Sequence, residues 1–182
     1  MTVPDGMPPL PAWAVVTEKR RAHMVRVTAL IVQWATTMNV EGRGRAEWRD
    51  AAAWHDALRD ASPSQLGRPD VDPTLPMGAW HGPAAAKRLR EDGERRAGLL
   101  EAITWHTVGD PGLSSTGRTL FCADFLEKGR RFHSPIHAAL AARFPEDPDG
   151  VLRDVVRMRI DRARLKREEI HARTLAFWEA VR

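Results

Sequence analysis

The chain has 182 residues, 43% hydrophobic and 29% charged, a balance that suits one soluble globular domain with a single buried core. Its net charge of +4 sets 28 basic against 24 acidic residues, intermingled, so charge alone calls for no nucleic-acid partner. No apolar run approaches a membrane span, and the single cysteine, Cys122, excludes an internal disulfide and fits a reducing cytoplasm.

Residues 1–16 read as an extended arm, because prolines at 4, 8, 9 and 11 oppose a helix; Trp13 is expected to pin the arm to the body. This start also lacks the basic-then-apolar order of a secretory leader. Thr17 can cap a first helix over 18–38. A second is expected over 44–58, followed by a loop at 62–77 rich in proline, aspartate and glycine, of a length that is more often functional than idle. A third helix begins near Gly82-Pro83 and ends at Gly93, and a fourth spans 94–107. Gly109, Pro111 and Gly112 break the chain before a fifth, capped by Ser114 or Ser115 and reaching about Lys128. A short helix over 135–143 and a long one from Val151 towards the C-terminus complete the chain. No segment alternates as a strand would. The expected class is all-α: five core helices in a bundle over 17–145, with a C-terminal helical segment over 146–182 packed on it.

Six polar residues fall on the apolar faces of these helices. His23 shares a face with Val27, Leu30, Ile31 and Trp34. His55, beside Asp56, follows Trp48 and Ala51, and Leu58 comes three residues later. His81 precedes Ala85 and Leu89, His106 follows Leu99 and Ile103, and Asp124 follows Leu120 and Phe121. One histidine on such a face is usually a neutral core residue. Four histidines and two aspartates on five successive helices ask for something that compensates buried charge, most often a metal ion. The mixed imidazole and carboxylate set suits a first-row divalent ion such as iron, manganese or zinc, and not calcium. Cys122, two residues from Asp124 in an apolar stretch, reads as core packing.

Other residues carry weaker signals. Of the seven tryptophans, Trp34, Trp48 and Trp105 sit at core offsets, and Trp80, directly before His81, is the one placed to stack on a base. His133 and His137 read as surface residues, and the alternating charges of 153–169 as a solvated helix face.

The order His, His-Asp, His, His, Asp resembles the HD-domain metal-dependent phosphohydrolases. The strings His81-Gly82-Pro83, Trp105-His106-Thr107-Val108-Gly109 and Ala123 to Arg130 resemble the YqeK family of bacterial symmetrical diadenosine tetraphosphate hydrolases. The similarity runs over about residues 17–177. A weaker match at Ile170-His171-Ala172-Arg173-Thr174-Leu175 resembles that family's C-terminal nucleotide-contacting segment. The chain departs from the family in four ways: Arg59 replaces a lysine, Lys128 a proline and Phe125 a tyrosine, and the 62–77 loop is longer.

The resemblance implies that His23, His55, Asp56 and Asp124 hold a first ion. Asp56 bridges to a second ion, and His81 and His106 bind that ion or contact the phosphate directly. One or two divalent ions are implied per chain, iron first, with manganese or another first-row metal as alternatives. A metal-bound hydroxide would attack phosphorus, cleaving diadenosine tetraphosphate into two ADP. Asp56 and Arg59 take the catalytic part of the assignment. Arg59 and Arg130 would neutralise phosphoryl charge, Thr107 and Gly109 would shape the phosphate pocket, and His171 would touch the nucleotide. The partner implied is a dinucleoside polyphosphate or another nucleotide, with no membrane; the C-terminal helix leaves a homodimer open. Other readings are an HD phosphohydrolase of another nucleotide or alarmone, and a metal- or nucleotide-binding sensor without turnover.

Overall fold

Helix periodicity and capping account for most of the architecture. The structure is a computed structural model that describes residues 6–130 and 134–182, so His133 lies outside the described residues. Helix α1 (Glu18–Thr37) opens where Thr17 Oγ1 accepts from the Arg20 amide at 3.3 Å, with Glu18 in the first turn. It ends before Asn39, whose φ of 54° turns the chain away. Then come α2 (Gly42–Trp54), α3 (Pro63–Leu66), a 3-10 turn at Met77–Ala79, α4 (His81–Glu91), α5 (Ala97–Trp105) and α6 (Ser115–Leu126). The chain closes with α7 (Pro135–Arg143), α8 (Pro148–Leu165) and α9 (Ala172–Val181). No strand occurs among the described residues, as an all-α reading requires. No described helix is long and apolar enough to cross a membrane.

Helix α6 forms the centre, buried on nearly all sides from Thr116 to Leu126, as a helix without a polar face must be. Helices α1, α2, α5, α7 and α8 pack around it. Ala51, Ala52 and Ala53 on α2 and Leu99, Ala102 and Ile103 on α5 are fully buried. Trp34 stacks on Phe144 with ring centroids 3.9 Å apart, tying α1 to the end of α7. Val151, Leu152, Val155, Val156 and Ile160 bring α8 into the same core. At the arm, Trp13 is half-buried and donates to Asp92 at 2.6 Å, while the Val15 amide bonds to the Ala57 carbonyl at 2.8 Å.

Three local expectations change. The second helix stops at Trp54, because residues 54–61 tighten into i→i+3 turns, with Ala57 N bonding to Trp54 O and Arg59 N to Asp56 O. This tightening turns His55 and Asp56 inwards. The C-terminal helix is two helices: Arg167, at φ 56°, closes α8 with the Glu168 amide on the Ala163 carbonyl. The chain then folds back, and Phe177 of α9 meets Phe121 edge-on at 5.3 Å. Lastly, His137 is buried, not a surface residue. It shares the inward face of α7 with Leu140, lies against Phe125 at 5.2 Å and pairs with Ser134 Oγ at 2.7 Å.

Candidate metal centre

The six expected ligands come from five elements and converge at one buried point. His23 projects from the middle of α1, Asp124 from α6, and His81 opens α4. His55 and His106 each occupy the position just past a helix end, after α2 and α5, where the chain turns. There each ring is anchored by its Nδ1, which donates to a carbonyl three residues earlier at 2.8 Å: Ala52 for His55 and Ile103 for His106. Anchored in this way, both Nε2 atoms carry the free lone pair.

Asp56 sits between two groups of donors. Its Oδ2 faces His23 Nε2 at 3.7 Å and His55 Nε2 at 3.6 Å. Its Oδ1 faces His81 Nε2 at 3.0 Å and His106 Nε2 at 3.4 Å. Two triads able to hold an ion therefore share one carboxylate: His23, His55, Asp56 and Asp56, His81, His106. Asp124 Oδ1 joins the first, 3.0 Å from His23 Nε2 and 3.7 Å from His55 Nε2. Donors bound at about 2.1 Å around one ion lie about 3.0–3.4 Å from one another, close to these separations. His55 Nε2 is fully buried and has no hydrogen-bond partner, as a ligand atom awaiting a cation would be. The residues thus fit a first-row divalent ion.

The second triad depends on a close helix contact. A Cβ on Gly82 would lie 2.6 Å from the Ile103 carbonyl oxygen and 2.9 Å from that of Thr104. Only glycine lets α4 approach the end of α5 so closely, and that approach sets His81 Nε2 3.0 Å from His106 Nε2.

The electrostatics follow from burial and neighbours. Burial pushes the His55 imidazolium pKa down to about 4 and also lowers His81. Burial would lower His23 too, but Asp124 and Glu127 prevail and raise it. Burial opposes ionisation of Asp56 and Asp124. The surrounding imidazoles and, for Asp124, the Arg130 guanidinium nevertheless hold both well below the usual carboxylate range. Two arginines sit on these carboxylates: Arg20 Nη1 donates to Asp56 Oδ2 at 2.7 Å, and Arg130 Nη2 pairs with Asp124 Oδ1. Burial raises the Cys122 thiol, consistent with a packing residue.

The remaining expected residues are dispersed. Thr107 Oγ1 lies 3.2 Å from His106 Nε2. Arg59 is exposed and makes no ion pair among the described residues, although its charge is felt at His81. Gly109, at φ 79°, donates its amide to the Trp105 carbonyl at 2.7 Å, and a Cβ there would strike Phe177 at 2.3 Å. Tight packing under α9 accounts for this glycine. The Trp80 indole donates to the Leu75 carbonyl at 2.9 Å and packs with Leu75, Ala79 and Val108. His171 caps α9 and pairs with Thr74 Oγ1 at 2.9 Å, joining that helix to the 62–77 loop.

Three site residues escaped the sequence reading. Glu127 Oε1 accepts from His23 Nδ1 at 3.1 Å, and its Oε2 from Arg26 at 2.6 Å. Glu127 follows Asp124 by three residues, and Arg20 precedes His23 by three, so helical spacing could have found both. Arg159 holds the carbonyls of His106 and Thr107 at 3.3 and 3.2 Å, an association that no local pattern announces.

Two clefts flank the centre. One, about 420 Å³, is bounded by α1 and the chain after α6 and reaches His23. The other, about 340 Å³, lies between Asp124, Thr107 and α8 and is closed by His171 and Thr174 of the C-terminal segment. Arg130 and Arg162 line both.

No family model matches the chain. It is 30% identical over 131 residues to the symmetrical bis(5'-nucleosyl)-tetraphosphatase of Bacillus subtilis, a match covering 64% of this chain and 66% of that protein. The protein of the same name from Halalkalibacterium halodurans is 28% identical over 130 residues, covering 64% and 65%. The chain thus spans just under two thirds of the curated relatives it matches. In fold it is similar to a predicted HD superfamily hydrolase involved in NAD metabolism from Clostridium acetobutylicum. The TM-score is 0.76 at 21% identity, over 91% of this chain and 90% of that one.

Proposed function

We propose that this chain, a relative of the symmetrical bis(5'-nucleosyl)-tetraphosphatases with the fold of an HD superfamily hydrolase, is a metal-dependent hydrolase. Its proposed reaction cleaves diadenosine tetraphosphate into two ADP. The observation that carries the reading is the sharing of Asp56 between two ligand triads, a pattern suited to clamping a phosphoryl group between two cations.

His23, His55, Asp56 and Asp124 would hold one ion, and Asp56, His81 and His106 a second; iron is the first assignment and manganese the next. The chemistry such ions would supply is water acidic enough to attack phosphorus near neutral pH, and positive charge for the phosphoryl oxygens. Glu127 and the Ala52 and Ile103 carbonyls fix the rings of His23, His55 and His106, so that each presents Nε2. Arg130, which lines both clefts, meets the charge that builds on the phosphoryl oxygens, and Thr107 donates its hydroxyl from beside His106. Arg59 contributes charge at longer range. The smaller cleft takes one nucleoside, with His171 and Thr174 at its edge and Phe125, Ile160 and Ile170 as its apolar lining.

The test is to load the purified protein with iron or manganese, incubate it with diadenosine tetraphosphate and separate the products. ADP alone is expected. ATP with AMP would overturn the symmetrical attack, and no turnover by metal-loaded protein would overturn the substrate.

A further inference from the structure

The two clefts beside the metal centre differ in chemistry. The smaller offers Phe125, Val108, Ile160 and Ile170, a lining suited to the face and edges of a base, and its three arginines, Arg130, Arg159 and Arg162, are matched by Asp124, Glu168 and Glu169. The larger presents, among the described residues, no phenylalanine, tryptophan or aliphatic side chain. It carries five cationic groups, Lys19, Arg20, Arg26, Arg130 and Arg162, against two carboxylates, Asp60 and Glu127. Both carboxylates are already engaged: Asp60 accepts from Thr17 at 2.7 and 2.8 Å, and Glu127 from His23 and Arg26. Three of the cations are paired as well, Arg20 with Asp56, Arg26 with Glu127 and Arg130 with Asp124, but five cationic groups against two carboxylates leave the lining of this cleft positive. The clefts meet at the ligand pair His23 and Asp124, 3.0 Å apart, with Arg130 in both walls, so one elongated anion can cross the centre from one cleft to the other.

We propose that the cleft beside α1 is a polyphosphate subsite that holds the second half of the substrate by its phosphates and does not read its base. Recognition is then one-sided: one nucleoside is selected in the apolar cleft, and the other half is held by charge. This rests on the proposed dinucleotide hydrolysis for its kinetic test, but not for its binding test.

Lys19 is exposed and makes no contact with the ligand residues, so its reversal leaves the centre intact. In Lys19→Glu, calorimetric binding of inorganic tripolyphosphate to the metal-loaded protein should weaken by about threefold to tenfold, and Lys19→Arg should restore it. Binding of ADP, which is selected by the apolar cleft, should change less than twofold. Unchanged tripolyphosphate affinity, or an equal loss for ADP, would overturn the subsite. With wild-type protein, the mixed adenosine–uridine tetraphosphate should be hydrolysed at about half the kcat/KM of the diadenosine compound, since only one of its two orientations is productive. A loss beyond tenfold would mean that both bases are read and would overturn the proposal. If wild type hydrolyses neither dinucleotide while Lys19→Glu still weakens tripolyphosphate, the hydrolase reading fails and the anion subsite stands.

Discussion

Glu127 Oε1 lies 3.1 Å from His23 Nδ1, and the same carboxylate holds Arg26 at 2.6 Å and the Gly129 amide at 2.6 Å. Burial alone would raise the Glu127 pKa, yet these bonds bring it down to about 2. A carboxylate behind an imidazole fixes its tautomer and raises its basicity as a ligand. In Glu127→Gln, affinity for the divalent ion should fall by about tenfold to a hundredfold. A metal titration followed by calorimetry checks this; an unchanged affinity would mean that His23 is oriented by packing alone.

Arg130 pairs with Asp124, and its Nε donates to the Asp124 carbonyl at 2.8 Å, so it rests on a candidate ligand without being one. Arg130→Ala is expected to retain its metal and to lose about a hundredfold to a thousandfold in kcat. Elemental analysis beside steady-state kinetics separates the two effects. Loss of the ion would assign Arg130 to holding the carboxylate in place rather than to the phosphate.

At Gly82, a methyl group has no room against the Ile103 and Thr104 carbonyls, which are backbone atoms and cannot swing aside. Gly82→Ala should destabilise the fold by about 1–3 kcal/mol through overpacking. It should also part His81 from His106, so that the metal stoichiometry drops towards one per chain if two are bound in the wild type. Denaturant unfolding and metal counting on the same sample test both consequences.

Away from the centre, Glu94 binds the two residues that lead into α5. Its Oε1 accepts the Arg95 and Arg96 amides, each at 2.8 Å, and its Oε2 meets Arg96 Nη2 at 2.6 Å. The Arg96 side-chain bond is the largest influence, and together these bonds lower the Glu94 pKa from 4.5 to about 2. A depressed carboxylate pKa stabilises the fold above its unfolded value, and that contribution disappears as pH falls from about 4.5 through 2. Glu94→Gln should therefore unfold at lower denaturant concentration than wild type at pH 7, with the two midpoints converging near pH 2. A constant gap across that window would show that the residue acts through shape and not charge.

Local pattern was enough for much of this protein. Thr17 and Ser114 announce their helices as caps, and the 135–143 helix has the expected bounds. The six candidate ligands stand out because each interrupts an apolar face at helical spacing. These signals reach only three or four residues along the chain, and so they survive in a linear sequence. What depends on packing between distant segments was decided only by tertiary structure. Asp56 offers one oxygen to His23 and His55 and the other to His81 and His106, a division set by how closely Gly82 lets α4 meet α5. The burial of His137, the return of α9 onto Phe121 and the grip of Arg159 on the His106 and Thr107 carbonyls have the same origin. The residue types can be read one by one, but their pairing across dozens of positions is settled by which faces the core brings together.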